Sequence, residues 1–187
     1  MVSLSIFFPV IGNEIKFYLA PFLISTNPAS VSLFLLQTIF YMQDLTDFLT
    51  PINLDLVNND EGYVEGQIGK HIATYTNELP DLEETDIVFV GIVENRGEGN
   101  GFAENEAANL IRKHFYQLYY WHTGVKLADL GNVKVGEKLK DSYAAIISVL
   151  EELRALNKTV VIIGGSHDIS LAQYKSYFKT ESFIEVT

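Results

Sequence analysis

One stretch decides the fold of this chain: Thr159–Ile169, with the sequence TVVIIGGSHDI. Four β-branched residues, Val160–Ile163, run directly into Gly164-Gly165. A short unbroken apolar run that ends at glycines predicts a strand buried on both faces, as in a parallel sheet. The glycines permit a tight turn at the carboxyl end of this strand, and ligands bind at that end of an open α/β sheet. His167 and Asp168, which follow the glycines, are therefore candidate site residues.

Two similar strand–helix units precede this stretch. Ile87–Val93 predicts a second buried strand and Lys126–Leu130 a third, with helices predicted over residues 103–120, 140–156 and 170–178. Strands that alternate with helices of this length imply right-handed crossovers and a mainly parallel α/β sheet. In the first helix, a stripe at helical spacing is expected to face the sheet. Its members are Ala107, Leu110, Ile111, Phe115, Leu118 and Tyr119.

The second strand ends in a glycine-rich loop, ENRGEGNGF, over residues 94–102. A loop of this kind between a strand and a helix is typical of dinucleotide-binding turns, but the required G-x-G-x-x-G is absent because residue 102 is Phe. Glu98 and Glu104 would also place negative charge where a pyrophosphate must lie. The loop therefore does not predict a nucleotide site.

The composition bounds the class of protein. With 187 residues, 48% hydrophobic and 20% charged, the chain is typical of a globular domain rather than a disordered one. Its formal net charge of −11 argues against a nucleic-acid partner, because such binders need Lys and Arg against phosphates. The absence of cysteine excludes disulfides, thiolate zinc sites and a Cys nucleophile, and it fits a reducing compartment.

Residues 1–41 differ from the rest, since Glu14 and Lys16 are their only charged residues. Pro21 and Pro28 interrupt this apolar segment, and the clean run that remains is shorter than the roughly 20 residues of a spanning helix. No basic residue precedes Lys16, so a secretory signal is not indicated. We interpret residues 1–41 as an apolar leader or upstream extension outside the domain, which then begins at Met42; a membrane-associated leader is the alternative.

Together the motifs resemble the ureohydrolases, the family of arginases, agmatinases and formimidoylglutamases. GGSHD (Gly164–Asp168) is similar to their Gly-Gly-x-His-(Ser/Asp/Glu) motif. The helix with Leu-Ile-Arg (Leu110–Arg112) and the strand with Asp-Leu-Gly (Asp129–Gly131) follow the order of that family's amino-terminal half. The segments VGIVENRG, NGFAENEAANLIR, LADLGNVKVG and DSYAAI are similar to the formimidoylglutamase-like branch. The resemblance covers about residues 42–187.

This resemblance implies an arginase-like fold with three layers, α/β/α, and metal-dependent hydrolysis of linear amidine or guanidino C–N bonds. The carbon attacked is stable and electron-rich, and two manganese ions that bridge one water supply the hydroxide by lowering the pKa of that water. The implied substrate is a small guanidino or formimino compound. A cytoplasmic location and a homo-oligomer are also implied.

The resemblance also carries over site residues. His167 corresponds to the first ligand of the manganese pair, and Asp168 to a residue that orients this ligand without binding the metal. The loop Glu94–Gly101 is expected to form part of the rim of the substrate pocket. Its candidate residues are Glu94, Asn95, Arg96 and Asn100.

The chain departs from the family pattern in two places. Glu106-Ala107-Ala108 replaces the Gly-Pro that precedes the family's Ala-Ile-Arg segment, which puts the loop's substrate role in doubt. The family's other ligands lie in an Asp-x-His-x-Asp and an Asp-x-Asp motif beyond the next strand, and Phe183–Val186 predicts only the opening of that strand. We therefore expect an amino-terminal fragment that is inactive by itself.

Two other functions stay open. A non-catalytic binding or interaction module could keep the same α/β half-sheet; it would show no metal dependence, and its unpaired fourth strand would need a partner chain. A membrane-associated protein would use residues 1–41 and would need detergent for solubility.

Overall fold

The computed structural model describes residues 45–58, 62–99 and 106–178. Three predictions lie outside these ranges: the leader at residues 1–41, the rim residue Asn100 and the fourth strand at Phe183–Val186. The described strands are β1 Leu49–Thr50, β2 Ala73–Thr74, β3 Ile87–Ile92, β4 Leu127–Val133 and β5 Thr159–Gly164.

α-Helices and one 3₁₀ helix lie between these strands and after the last of them. The α-helices are α1 Leu54–Val57, α2 Ile68–His71, α3 Ala107–Phe115, α4 Leu139–Ala155 and α5 Ile169–Tyr177; the 3₁₀ helix is Arg96–Glu98. The start of α4 is fixed by a capping interaction in which the Lys138 backbone N–H donates to Asp141 Oδ2 at 3.0 Å. Among the described residues, no helix combines the length and the apolar character needed to cross a membrane.

The sheet is mainly parallel, as predicted. β3 lies between β4 and β5 and is parallel to both, whereas β1 and β2 pair with the outer side of β4, β1 antiparallel and β2 parallel. Ile92 at the end of β3 lies opposite Val133 of β4 and Gly164 of β5. The carboxyl ends of three strands therefore meet level at one edge, and their loops share it.

Alternate residues of the strands pack into two separate cores, one on each face of the sheet. Val88 and Val90 of β3 pack with the buried side chains of α4 and α5, whereas Phe89 packs with those of α1 and α2 and with Phe115 of α3. The helices therefore cover both faces, and the expected three-layer α/β/α arrangement is confirmed. The expectation that Val160–Ile163 are fully buried is wrong: these residues are half-buried, because β5 has β3 on one side and no described strand on the other.

The predicted inner face of α3 is also wrong. Leu110 and Ile111 are 58% and 42% exposed, whereas Ala108, Arg112 and Tyr116 are buried. These three residues are spaced four apart, so they lie along one side of the helix. The buried side of the helix is thus offset by one residue from the predicted apolar stripe. The long side chain on this buried side, Arg112, is charged.

Arg112 and Asp129 form an ion pair that is withdrawn from water, since both residues are 0% exposed. The guanidinium is bidentate on the carboxylate, with Nε to Oδ2 at 2.8 Å and Nη2 to Oδ1 at 2.9 Å. The remaining Arg112 N–H groups donate to the Gly131 carbonyl and to the side-chain oxygens of Asn132 and Asn109. The Asp129 carboxylate also accepts from the Tyr116 hydroxyl at 2.9 Å and from the Gly131 N–H at 3.0 Å. Donors and acceptors are thus matched throughout, and the pair joins α3 to β4.

We predict that Arg112→Met lowers the free energy of unfolding by about 3–5 kcal/mol, because it leaves the Asp129 charge buried without its partner. Urea unfolding followed by circular dichroism measures this loss. Lys113→Met is the matched control: it removes an exposed cation from the same helix and should change stability by less than about 0.5 kcal/mol. Adding Asp129→Asn to Arg112→Met should recover part of the loss. A decrease below about 1 kcal/mol for Arg112→Met would contradict the prediction.

Candidate functional site

The candidate site lies where the loops after β3, β4 and β5 converge. The loop after β3 begins with Glu94, and the turn after β5 contains Ser166, whose N–H donates to the Glu94 carbonyl at 3.2 Å. The turn itself uses Gly164 and Gly165, with φ of +82° and +76°, values at which residues with a Cβ are strained. The glycines therefore make the tight turn that the sequence predicts, and the turn is tied directly to the β3 loop.

Glu94 and Arg96 form a second ion pair, which closes the β3 loop. The Arg96 guanidinium donates to Glu94 Oε2 from Nη2 at 2.6 Å and to Oε1 from Nε at 2.9 Å. It also donates to the carbonyls of Gly136 and Glu137, which follow β4, at 2.8 and 2.7 Å. Ser142, in the first turn of α4, accepts a further bond from Arg96 at 3.2 Å. We refer to Glu94, Arg96 and Ser142 as the loop clamp.

The clamp holds Glu94 as a buried carboxylate, 1% exposed. Burial alone would raise the pKa of Glu94, but hydrogen bonds from the Arg96 side chain, Ser142 and the Arg96 backbone, together with the Arg96 charge, outweigh it and lower the pKa to about 2. Glu94 is therefore an anion at every physiological pH. Its contacts point to a loop-shaping role, and direct contact of Glu94 and Arg96 with a substrate stays a prediction.

Asp168 is held by three segments of the chain. Its carboxylate accepts hydrogen bonds from the Tyr143 hydroxyl, on α4, and from the Ser166 hydroxyl, in its own turn. Gly97 of the β3 loop lies directly against it: a Cβ added there would be 2.0 Å from Asp168 Cγ. Desolvation and the hydrogen bond to Asp168 raise the pKa of Tyr143 to about 12, so the phenol remains a proton donor.

His167, the predicted metal ligand, has an exposed side chain at the same edge. Its carbonyl accepts from the Ser170 N–H at 3.2 Å and the Ser170 hydroxyl at 2.6 Å, which anchors the turn to the start of α5. Within the ranges that the structure describes, no three His, Asp or Glu side chains are grouped so that they could hold a metal ion. The described residues thus offer one imidazole, and a two-metal site needs ligands beyond them.

Two residues of this site were not predicted as functional, Ser142 and Tyr143. The sequence carried a signal for them, since both belong to the DSYAAI segment that resembles the family, and Tyr143 begins the apolar stripe of α4. A tyrosine on such a stripe predicts core packing, whereas here its hydroxyl continues past the core to Asp168. Asn95, the remaining described rim residue, is half-buried and lies between Glu94 and Arg96 in the sequence.

No protein-family model matches the chain, and no curated protein is similar enough to count as a relative. Solved structures do match it. An arginase superfamily protein from Trypanosoma cruzi is 18% identical, with a TM-score of 0.45, over 55% of this chain and 38% of that one. Agmatine ureohydrolase of Thermoplasma volcanium is 20% identical, with a TM-score of 0.45, over 60% of this chain and 39% of that one.

A third match is the crystal structure of Trypanosoma cruzi formiminoglutamase with two Mn²⁺ ions. It is 18% identical, with a TM-score of 0.43, over 53% of this chain and 37% of that one. These matches are arginase-superfamily proteins. The chain spans less than two fifths of the length of each of these three structures.

We predict that Glu94→Gln lowers the free energy of unfolding by about 2–3 kcal/mol at pH 7, because the folded state holds the carboxylate at a pKa of about 2 against 4.5 when unperturbed. A carboxylate whose pKa is lower in the folded than in the unfolded state stabilises the fold fully at a pH above its unfolded-state pKa. The stabilisation is lost as the pH falls through the folded-state value. The difference between wild type and variant should therefore be constant from pH 7 to about 5 and should shrink between pH 4.5 and 2.

Urea unfolding at each pH measures this difference. Glu98→Gln is the control, since that side chain lies in the same loop and is exposed. A difference between wild type and Glu94→Gln that does not change with pH would contradict the prediction.

Proposed function

We propose that this chain forms the amino-terminal half of a ureohydrolase-type metal site, in which His167 is one metal ligand. The observation that carries the proposal is the GGSHD turn: its imidazole is exposed at the level carboxyl ends of three parallel strands, while its Asp and Ser side chains are engaged within the protein. Ligands bind at this edge in open α/β sheets. The motif order along the chain supports the same assignment.

The proposed cofactor is a pair of manganese ions, which would supply a hydroxide nucleophile at neutral pH when bound. The donor set that the structure describes fits only part of this requirement, because it holds one histidine and no group of three ligands. The other ligands would have to come from residues outside the described ranges or from another chain. We therefore propose no hydrolytic step for the described residues alone.

The proposed substrate is a small guanidino or formimino compound, and the reaction is hydrolysis of its C–N bond in the cytoplasm. Glu94 and Arg96 contribute by giving the pocket rim its shape through the loop clamp, and Asn95 and Asn100 remain the candidate contacts. The proposed domain comprises residues 42–187, and residues 1–41 are proposed to be a leader or upstream extension outside it. The proposed assembly is a homo-oligomer.

A non-catalytic α/β interaction module is the second candidate. The observation that favours it is the half-buried β5, whose backbone pairs with β3 on one side and with no described strand on the other. A strand in this position can add a strand from a partner. Such a module would bind no metal through His167.

Manganese binding separates these candidates. The chain contains four histidines, His71, His114, His122 and His167, and paramagnetic Mn²⁺ broadens the NMR signals of the imidazole that binds it. We expect substoichiometric Mn²⁺ to broaden the His167 signals selectively. His167→Ala should weaken Mn²⁺ binding at least tenfold, since loss of even an outer-shell partner costs a metal site that much.

His122→Ala, at another exposed histidine, is the control and should leave Mn²⁺ binding unchanged. Equal broadening of all four histidines would favour the interaction module. We also propose that the 187-residue chain alone does not hydrolyse arginine, agmatine or formiminoglutamate, because its sequence contains neither the Asp-x-His-x-Asp nor the Asp-x-Asp motif that the resemblance requires. Turnover by this chain would contradict that part of the proposal and would show that other residues complete the site.

A further inference from the structure

We propose that Tyr143 is a positioning residue of the candidate site: through Asp168 it fixes the turn that presents His167. The inference deepens the proposed function and rests on it for the role of His167. Tyr143 is distant from the turn in sequence and reaches it from α4, so the connection is made by the tertiary structure alone.

The first support is the state of Asp168. Its two oxygens are engaged separately, Oδ2 with the Tyr143 hydroxyl and Oδ1 with the Ser166 hydroxyl. Gly97 closes the space beside the carboxylate, since a Cβ there would overlap Asp168 Cγ. The carboxylate therefore points into the protein, and the neighbouring imidazole is left at the surface.

The second support is the way in which the turn is continued. The backbone N–H groups of Ile169, Ser170 and Leu171 donate to the carbonyls of Ser166, His167 and Asp168 at 3.1, 3.2 and 2.9 Å. Movement of Asp168 would therefore disturb the whole start of α5. A hydrogen bond to a carboxylate is among the stronger ones in proteins, so the Tyr143 bond restrains this turn from outside it, in addition to the bond from Ser166 to the β3 loop.

The third support is the position of Tyr143 in α4. The capping interaction of Lys138 and Asp141 sets the first turn of the helix. Ser142 then joins the loop clamp, and Tyr143 contacts the turn after β5. One helical turn thus restrains the loops after β3 and β5, and Tyr143 is the residue in it that contacts the turn with the histidine.

The test compares Tyr143→Phe with Tyr63→Phe in the 187-residue chain. Each variant removes one phenol hydroxyl that donates a hydrogen bond within the protein. In the control, Tyr63→Phe, the lost bond is the one from Tyr63 to the Val57 carbonyl at 2.9 Å. We expect hydrogen exchange of the Ile169, Ser170 and Leu171 amides to accelerate about tenfold in Tyr143→Phe and to stay unchanged in Tyr63→Phe. The imidazole chemical shift of His167, assigned with His167→Ala, should move only in Tyr143→Phe.

Gly97→Ala is the second variant and keeps Tyr143. Because the added Cβ displaces the Asp168 carboxylate, it should accelerate exchange at the same three amides and move the same His167 signal. It also keeps the inference testable if Tyr143→Phe does not fold. Unchanged exchange and an unchanged His167 shift in the variants that fold would overturn the inference.

The metal is added only after these measurements. If the inference and the proposed function both hold, Mn²⁺ broadening of the His167 signal should weaken several-fold in Tyr143→Phe relative to Tyr63→Phe. If wild type shows no selective broadening, the proposed function fails, while the metal-free exchange and shift data still decide whether Tyr143 positions the turn.

Discussion

The buried ion pair between Arg112 and Asp129 fixes the relation between α3 and the sheet. Two charges taken out of water cost several kcal/mol each unless their hydrogen bonds are complete, and here every N–H of the guanidinium and both carboxylate oxygens are engaged. A shift of the helix by one residue would break most of these bonds at once, whereas an apolar contact would tolerate it. The pair therefore gives the helix a single position. A Cβ added at Gly164 would lie 3.2 Å from the Cβ of Ala108, one turn before Arg112, so the position of α3 limits the space beside the turn after β5.

The edge of the sheet that carries the site depends on a different set of polar contacts, and two of them start from the first turn of α4. Ser142 is bonded to Arg96 of the β3 loop, and Tyr143 to Asp168 of the β5 turn. The β4 loop joins the same network through the Gly136 and Glu137 carbonyls. Glu94 is thus paired with Arg96, and Asp168 is held by the hydroxyl groups of Tyr143 and Ser166. The exposed imidazole of His167 stands apart from them, and this division supports a positioning role for the acids and a binding role for the histidine.

The sequence alone predicts the architecture of the sheet and helices, but it does not predict these networks of polar side chains. The long apolar runs of β3 and β5 have an unambiguous pattern, and the connecting helices then imply a parallel sheet. β1 and β2 have two residues each, too few for any periodicity. The apolar stripe of α3 predicts the wrong inner face, because the burial of Arg112 depends on Asp129, 17 residues further along the chain. The loop clamp likewise joins Arg96 to residues 40 or more positions away, and no local pattern encodes such a contact.

The restraint on Asp168 bears on the choice between a metal site and an interaction module. A turn that merely connects β5 to α5 needs its glycines and its backbone hydrogen bonds, and nothing in that task requires a carboxylate held by a helix on one side and a glycine of another loop on the other. Fixing a side chain costs conformational entropy, and such preorganisation benefits a function in which the next residue must keep one orientation, as a metal ligand must. An interaction module that uses the edge of β5 gains nothing from it. The geometry of the turn therefore supports His167 as a metal ligand, although the described residues contain no group of three such ligands.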